Sequence, residues 1–220
     1  MNIVAQNLEN ITKQIELQAK EWHTIKPELL AVSKRQDLEL IKLALKAGQR
    51  AFGENMVQEA AKKWPQLKLE FPEVKLHLIG HLQSNKIKEA LKIFDVIETI
   101  DSEKLAKLIA KNYHNNNYKT EFLIQINIGA EKQKYGIAIA EADDFINFFR
   151  NELKLPLKGL MCIPPYQENA ALYFAYMHKI ARKNNINYIS QGMSSDFMQA
   201  IAIGTNEIRI GSALFGIRKY

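Results

Sequence analysis

Leu29-Leu30-Ala31-Val32-Ser33-Lys34 is a run of small and apolar residues that ends in a lysine. No charge interrupts it before its last position, so it reads as a strand buried on both faces, as in parallel sheets. A lysine where such a strand leaves the interior sits between a low-dielectric core and a rim that a ligand reaches. Burial disfavours the ammonium form, and a neutral amine attacks carbonyl carbon. The other reading is a lysine whose stem covers apolar surface while its ammonium reaches water.

Outward from this run the punctuation is regular. Upstream, Val4, Leu8, Ile11, Ile15, Ala19 and Trp22 recur at steps of three and four, which predicts an amphipathic helix within residues 1–24, packed on the fold as a lid or side helix. Downstream, strand-like runs fall at 50–53, 74–79, 95–99, 121–127, 157–163, 188–192 and 207–210, with helix-like spacing between them. Gly48 stops one helix, Pro65 is expected to end the helix that starts near Glu54, and Asp101-Ser102 offers N-capping oxygens. Eight strands alternating with helices are the number that closes a parallel (β/α)8 barrel, and a doubly wound open sheet is the alternative. No proline- or glycine-rich linker divides the chain, so residues 1–220 are expected to form a single domain.

Composition narrows the function classes. Thirty basic against 24 acidic residues give a net charge of +6, but the lysines are spread over nearly every predicted helix. A solvated surface is favoured over a nucleic-acid interface. The lone Cys162 excludes an internal disulfide and suits a reducing compartment. No stretch approaches the ~20 apolar residues of a membrane span, and the expected location is the cytoplasm. No metal-ligand spacing is evident. His77 and His81 are open between hydrogen-bonded core groups and acid–base groups, and Cys162 is expected to pack.

Two strand-to-helix turns near the end carry the candidate chemistry: Gln191-Gly192-Met193-Ser194-Ser195-Asp196 and Arg209-Ile210-Gly211-Ser212-Ala213. Each sets a glycine where backbone must come close, then a hydroxyl among free amides that favour an anion. In a barrel these turns are neighbours on the rim where phosphate is commonly held. Each alone could be an ordinary helix cap. Arg209, two residues before Gly211, shares its inward or outward sense, which leaves it either a structural ion pair or a donor to a bound ring. Closing the barrel brings Lys34 beside the last strand. A phosphate anchor, an amine for an aldehyde and a donor for a pyridine nitrogen are together what pyridoxal 5'-phosphate requires.

These stretches, with Phe52-Gly53-Glu54-Asn55-Met56-Val57-Gln58-Glu59, His77-Leu78-Ile79-Gly80-His81-Leu82-Gln83-Ser84-Asn85-Lys86 and Gly159-Leu160-Met161, closely resemble the pyridoxal phosphate homeostasis proteins (the YggS/PROSC family) in order across nearly the whole chain. The resemblance implies a barrel like the N-terminal domain of alanine racemase, with the cofactor held as a Schiff base on Lys34. It implies phosphate contacts from the region of Met193 and Ser194 and from Gly211 and Ser212, Arg209 facing the pyridine nitrogen, and Asn55 near the ring. Gln191 stands where the family commonly has methionine, and the loop Glu131-Lys132-Gln133-Lys134-Tyr135-Gly136 departs from its usual form, which puts a role of Lys132 or Lys134 in cofactor transfer in doubt.

An arginine donor leaves the ring nitrogen unprotonated and the ring a weak electron sink. In racemases of this fold a second base comes from an additional domain, for which 220 residues leave no room. The expected function is therefore a non-catalytic carrier and buffer of pyridoxal phosphate, monomeric, without membrane or nucleic-acid partners, in contact at most transiently with enzymes that use or make the cofactor. An amino-acid racemase is the enzyme alternative, and an RNA-binding basic surface ranks last.

Overall fold

The computed structural model describes residues 2–131 and 133–216. In chain order the elements are α1 (Ile3–Glu21), β1 (Glu28–Val32), α2 (Leu38–Lys46), β2 (Ala51–Glu54), α3 (Val57–Glu70), β3 (Lys75–Leu78), α4 (Ile87–Ile93), β4 (Val96–Ile100), α5 (Glu103–Tyr113) and β5 (Glu121–Asn127). They continue with β6 (Ile137–Ala138), α6 (Ala142–Asn147), β7 (Leu157–Cys162), α7 (Ala170–Lys183), β8 (Ile189–Met193), α8 (Phe197–Ile203), β9 (Glu207–Ile210) and α9 (Ser212–Phe215).

Every pairing is parallel, in the order β4-β3-β2-β1-β9-β8-β7-β5, and β4 also pairs with β5, which closes eight strands into a barrel. β1 is the closing strand on the other side: Ala31 pairs with Phe52 of β2 and with Ile210 of β9. The open doubly wound sheet is thereby excluded. The two-residue β6 is an appendage on β5, too short to have a period that sequence reveals.

Side-chain alternation sorts the strands into two layers. Leu29, Ala31, Phe52, Leu76, Leu78, Phe122, Ile124, Leu160, Ile208 and Ile210 point outward and pack under the helices as the main core. Val96, Leu123 and Met161 form a small apolar cluster inside. Helix α1 lays Val4, Leu8, Ile11, Ile15 and Ala19 against the barrel, each large side chain contributing about 1.5–3 kcal/mol. It packs on α2, α8 and α9, and is thus a side helix. Trp22 does not continue the apolar stripe: it caps the helix and is 54% exposed, because His23 turns the chain away at φ 52°.

Pro65 likewise does not end its helix. It lies inside α3, which continues to Glu70. An internal proline costs about 3 kcal/mol, and the fully buried Trp64 and Leu67 on either side of it hold the helix to the barrel nonetheless. Ser102 caps α5 as expected, its side chain accepting from the Leu105 amide. No helix among the described residues is long and apolar enough to cross a membrane.

Candidate functional site

In a parallel barrel all strands end at one face. The order β2-β1-β9-β8 therefore places the residues that follow these four neighbouring strands on one arc of the rim. Asn55 follows β2, Lys34 follows β1 by two residues, Gly211 and Ser212 follow β9, and Met193 ends β8 with Ser194 after it. Met193 pairs with Arg209, and Leu30 pairs with Arg209 from the other side. At about 4.8 Å per strand the arc is about 14 Å wide. All seven predicted residues are thus brought to one region of the molecule.

Lys34 is partly buried, in the turn that begins two residues after the end of β1. Gly211 lies against Val32, where a Cβ would stand 3.3 Å from the valine's Cβ and carbonyl oxygen. Ser194 and Ser212 are exposed at the rim, and as first-turn positions Ser212 and Ala213 have amides that α9 itself leaves without partners. The β8 turn is tight: Asp196 accepts from the Met193 amide at 2.6 Å and its own amide donates to the Met193 carbonyl at 3.0 Å. Gly192 makes this turn possible, with φ +95° and a Cβ position only 2.6 Å from that of Ala200.

Asn55 is fixed from behind. Gly80 comes so close that a Cβ there would meet the Asn55 carbonyl oxygen at 2.2 Å, and the Gly80 carbonyl accepts from Thr99 Oγ1 at 2.8 Å. The Asn55 Oδ1 atom is buried with no hydrogen-bond partner among the described residues. A buried acceptor left so costs about 1–3 kcal/mol, an arrangement that a ligand with a donor group relieves. Orphan acceptor, amine, guanidinium and amide-rich turns together fit a phosphorylated pyridine aldehyde.

Arg209 is 4% exposed and does point inward. Its Nη1 donates to Ser190 Oγ at 2.5 Å and its Nη2 to the Cys162 carbonyl at 2.8 Å, with Glu98 Oε2 3.9 Å away. The structural reading of this arginine is thus the one its contacts express, with two of its five N–H groups serving the interior. Behind it stands a polar cluster that sequence reading did not single out. His77 Nδ1 is 2.7 Å from Glu98 Oε1 and 3.2 Å from Glu207 Oε2. The Ser190 hydroxyl is 2.8 Å from Glu98 Oε2 and 2.7 Å from Glu207 Oε1.

That hydroxyl has one proton to give, so one of the two carboxyls must bring its own. Burial pushes both up. In Glu98 the hydrogen bond and charge of His77, with Arg209 beyond, overcome burial and hold the carboxyl below its usual value. In Glu207 burial, with the charge of Glu98 added, raises the carboxyl to about 7, so it is the more readily protonated of the two. Burial opposes the His77 imidazolium, but the charge of Glu207 and the hydrogen bond to Glu98 prevail and raise it. The signal in the sequence was a polar residue in the middle of an apolar strand, as in Val96-Ile97-Glu98-Thr99-Ile100.

His77 is thus a hydrogen-bonded core group. His81 is at the mouth instead, 2.9 Å from Asp101 and stacked on Tyr135 at 4.3 Å. Cys162 is buried, and burial pushes its thiol up to about 12, so it packs and does not react. Lys134 donates to the Pro164 carbonyl at 3.1 Å and pairs with Glu131. Lys132 lies outside the described residues. A cleft of about 360 Å³ lined by Lys134, Pro164, Tyr166, Met193 and Ser195 adjoins the β8 turn. A cleft of about 560 Å³ between α5 and α6 is lined by Asp101, Glu103, Glu141, Asp144 and Glu152, which repel a phosphate.

Residues 6–219 match the family model described as alanine racemase, N-terminal domain. Along its whole length the chain is 38% identical to the pyridoxal phosphate homeostasis protein of Vibrio cholerae, of which 98% is covered. It is 36% identical to the protein of that name from Escherichia coli, of which 99% is covered. Among solved structures it is similar to PipY of Synechococcus elongatus, with a TM-score of 0.87 at 31% identity over 97% of this chain and 100% of that one. The same protein solved with PLP bound gives a TM-score of 0.85 at 30% identity, over 97% of this chain and 100% of that one. Alanine racemase from Corynebacterium glutamicum shares the fold, with a TM-score of 0.71 at 16% identity over 99% of this chain and 62% of its own.

Proposed function

The chain belongs to the pyridoxal phosphate homeostasis protein family, and from that premise we propose that it binds pyridoxal 5'-phosphate as a Schiff base on Lys34 and serves as a cytoplasmic, monomeric carrier and buffer of the cofactor. The observation that carries this reading is the meeting of Lys34, Arg209 and the two serine-bearing turns on the adjacent strands β1, β9 and β8. When bound, the cofactor supplies an aldehyde and an electron-accepting ring. The chain's own residues do the rest. The turns at Met193-Ser194 and Gly211-Ser212 hold the phosphate, Lys34 holds the aldehyde carbon, and Asn55 accepts from a donor near the ring.

Arg209 supports storage over turnover. A guanidinium is a permanent donor and gives up no proton, so a ring nitrogen held by Arg209 would stay unprotonated and withdraw electrons weakly. The interior carboxylates reinforce this by keeping the guanidinium in place. Release to enzymes that need the cofactor would use the open rim, where Ser194 and Ser212 are exposed.

The test is one absorption spectrum of purified protein loaded with the cofactor. A band near the visible edge that borohydride abolishes, without exchange of the Cα hydrogen of alanine or serine for deuterium above the rate with free cofactor, is the expected result. Rapid exchange would make the protein a racemase.

A further inference from the structure

Resting on the attachment of the cofactor at Lys34, we propose that Glu59 and Lys63 are positioning residues, a clamp on α3 that grips the backbone on both sides of that lysine and fixes its position at the rim. Glu59 Oε1 accepts from the Arg35 amide at 2.5 Å, and Lys63 Nζ donates to the Ser33 carbonyl at 3.2 Å. The two are joined to each other at 2.5 Å, one helical turn apart. Residues 33 and 35 are therefore tied to the same pair of side chains, with residue 34 between them.

The ties leave nothing to spare. An ammonium has three N–H donors, and Lys63 finds three acceptors, in Ser33 O, Glu59 Oε1 and, at 3.4 Å, Glu54 Oε1. Glu54 is fully buried and also takes the Ser33 hydroxyl at 2.8 Å and the Trp64 indole N–H at 3.2 Å. Ser33 is thus held outward, toward α3, by its side chain as well as its carbonyl. Lys34 therefore stands in a turn whose backbone is anchored to α3 on both sides of it.

The clamp also has a conformation to maintain. Arg35 adopts φ +57°, the left-handed region that a non-glycine residue seldom occupies, and its amide is the group Glu59 holds. Without that acceptor the turn is free to relax, and a rotation there moves the amine off the ring site. Glu54 and Glu59 stand in the stretch Gly53-Glu54-Asn55-Met56-Val57-Gln58-Glu59, of which the cofactor reading uses Asn55 alone. The clamp gives the carboxylates of that stretch their part.

The experiment compares Glu59→Ala, Lys63→Met and the conservative Glu59→Gln with the parent chain, using hydrogen exchange of the cofactor-free protein and release of bound pyridoxal phosphate on dilution. Glu59→Ala and Lys63→Met should speed exchange across residues 33–37 and release the cofactor about tenfold faster. Both should also shift the pH midpoint of the absorbance band. Glu59→Gln keeps an acceptor for the Arg35 amide and should stay within about twofold of the parent. Unchanged exchange, release and midpoint in both disruptive variants would overturn the clamp. Lys34→Ala separates the two claims: if it keeps the covalent adduct, attachment at Lys34 fails and the clamp with it, whatever the exchange data show.

Discussion

Arg209 Nη1 and Ser190 Oγ lie 2.5 Å apart across neighbouring strands, and through this contact the guanidinium of the site is joined to two buried carboxyls. The bond makes the candidate rim and the barrel interior one electrostatic unit. Its ionisable members are Arg209 and His77, whose imidazolium the neighbouring carboxyls favour, against Glu98 and a Glu207 raised to about 7.

Arg209→Met should be strongly destabilising, because it leaves Glu98 without its nearest permanent cation. Removing one partner of a buried charged set costs about 3–5 kcal/mol. Urea denaturation of the cofactor-free variant measures this, and a loss below about 1 kcal/mol would show that the network does not depend on the guanidinium.

Stability should fall between about pH 4.5 and about pH 7 on account of Glu207. Its carboxyl is raised from 4.5 to about 7 in the folded state, so in that window the native chain keeps a proton that the unfolded chain has lost. A raised group stabilises below its unfolded value, and the contribution disappears as pH climbs through the folded one. The loss is on the order of 3 kcal/mol for this group alone. Glu207→Gln should flatten the slope in denaturation curves taken across the window, and an unchanged slope would refute the assignment of the proton.

Gly80→Ala should weaken both fold and ligand. The added Cβ would sit 2.2 Å from the Asn55 carbonyl oxygen, and since backbone cannot yield cheaply, overpacking of this kind costs about 1–3 kcal/mol. Asn55 moves with it. Melting temperature and pyridoxal phosphate affinity should therefore drop together, and a lower melting point with unaltered affinity would remove Asn55 from the site.

All eight barrel strands were legible because each is a short run bounded by turn residues, and the closing pair β1–β9 follows from their number. Trp22 and Pro65 show where such reading stops. The helical stripe that includes Trp22 breaks at a turn set by His23, and the cost of Pro65 is overridden by burial of Trp64 and Leu67, neither of which local sequence encodes. The two serine-bearing turns were readable through glycine and hydroxyl patterns and Lys34 through the apolar run it ends, whereas Asn55 and Met193 came only from the family resemblance. The interior cluster and the α3 contacts were not: Glu98 is marked only as a polar residue inside an apolar strand, and a glutamate at 207, 54 or 59 looks like surface until topology supplies its partners.

The central claim is tested most directly by borohydride reduction of the loaded protein followed by peptide mass mapping, with Lys34→Ala in parallel. The account predicts one pyridoxyl group on the peptide bearing Lys34 and none on the corresponding peptide of the variant. A modified lysine elsewhere in the parent chain, or an equal yield of adduct from Lys34→Ala, would contradict it.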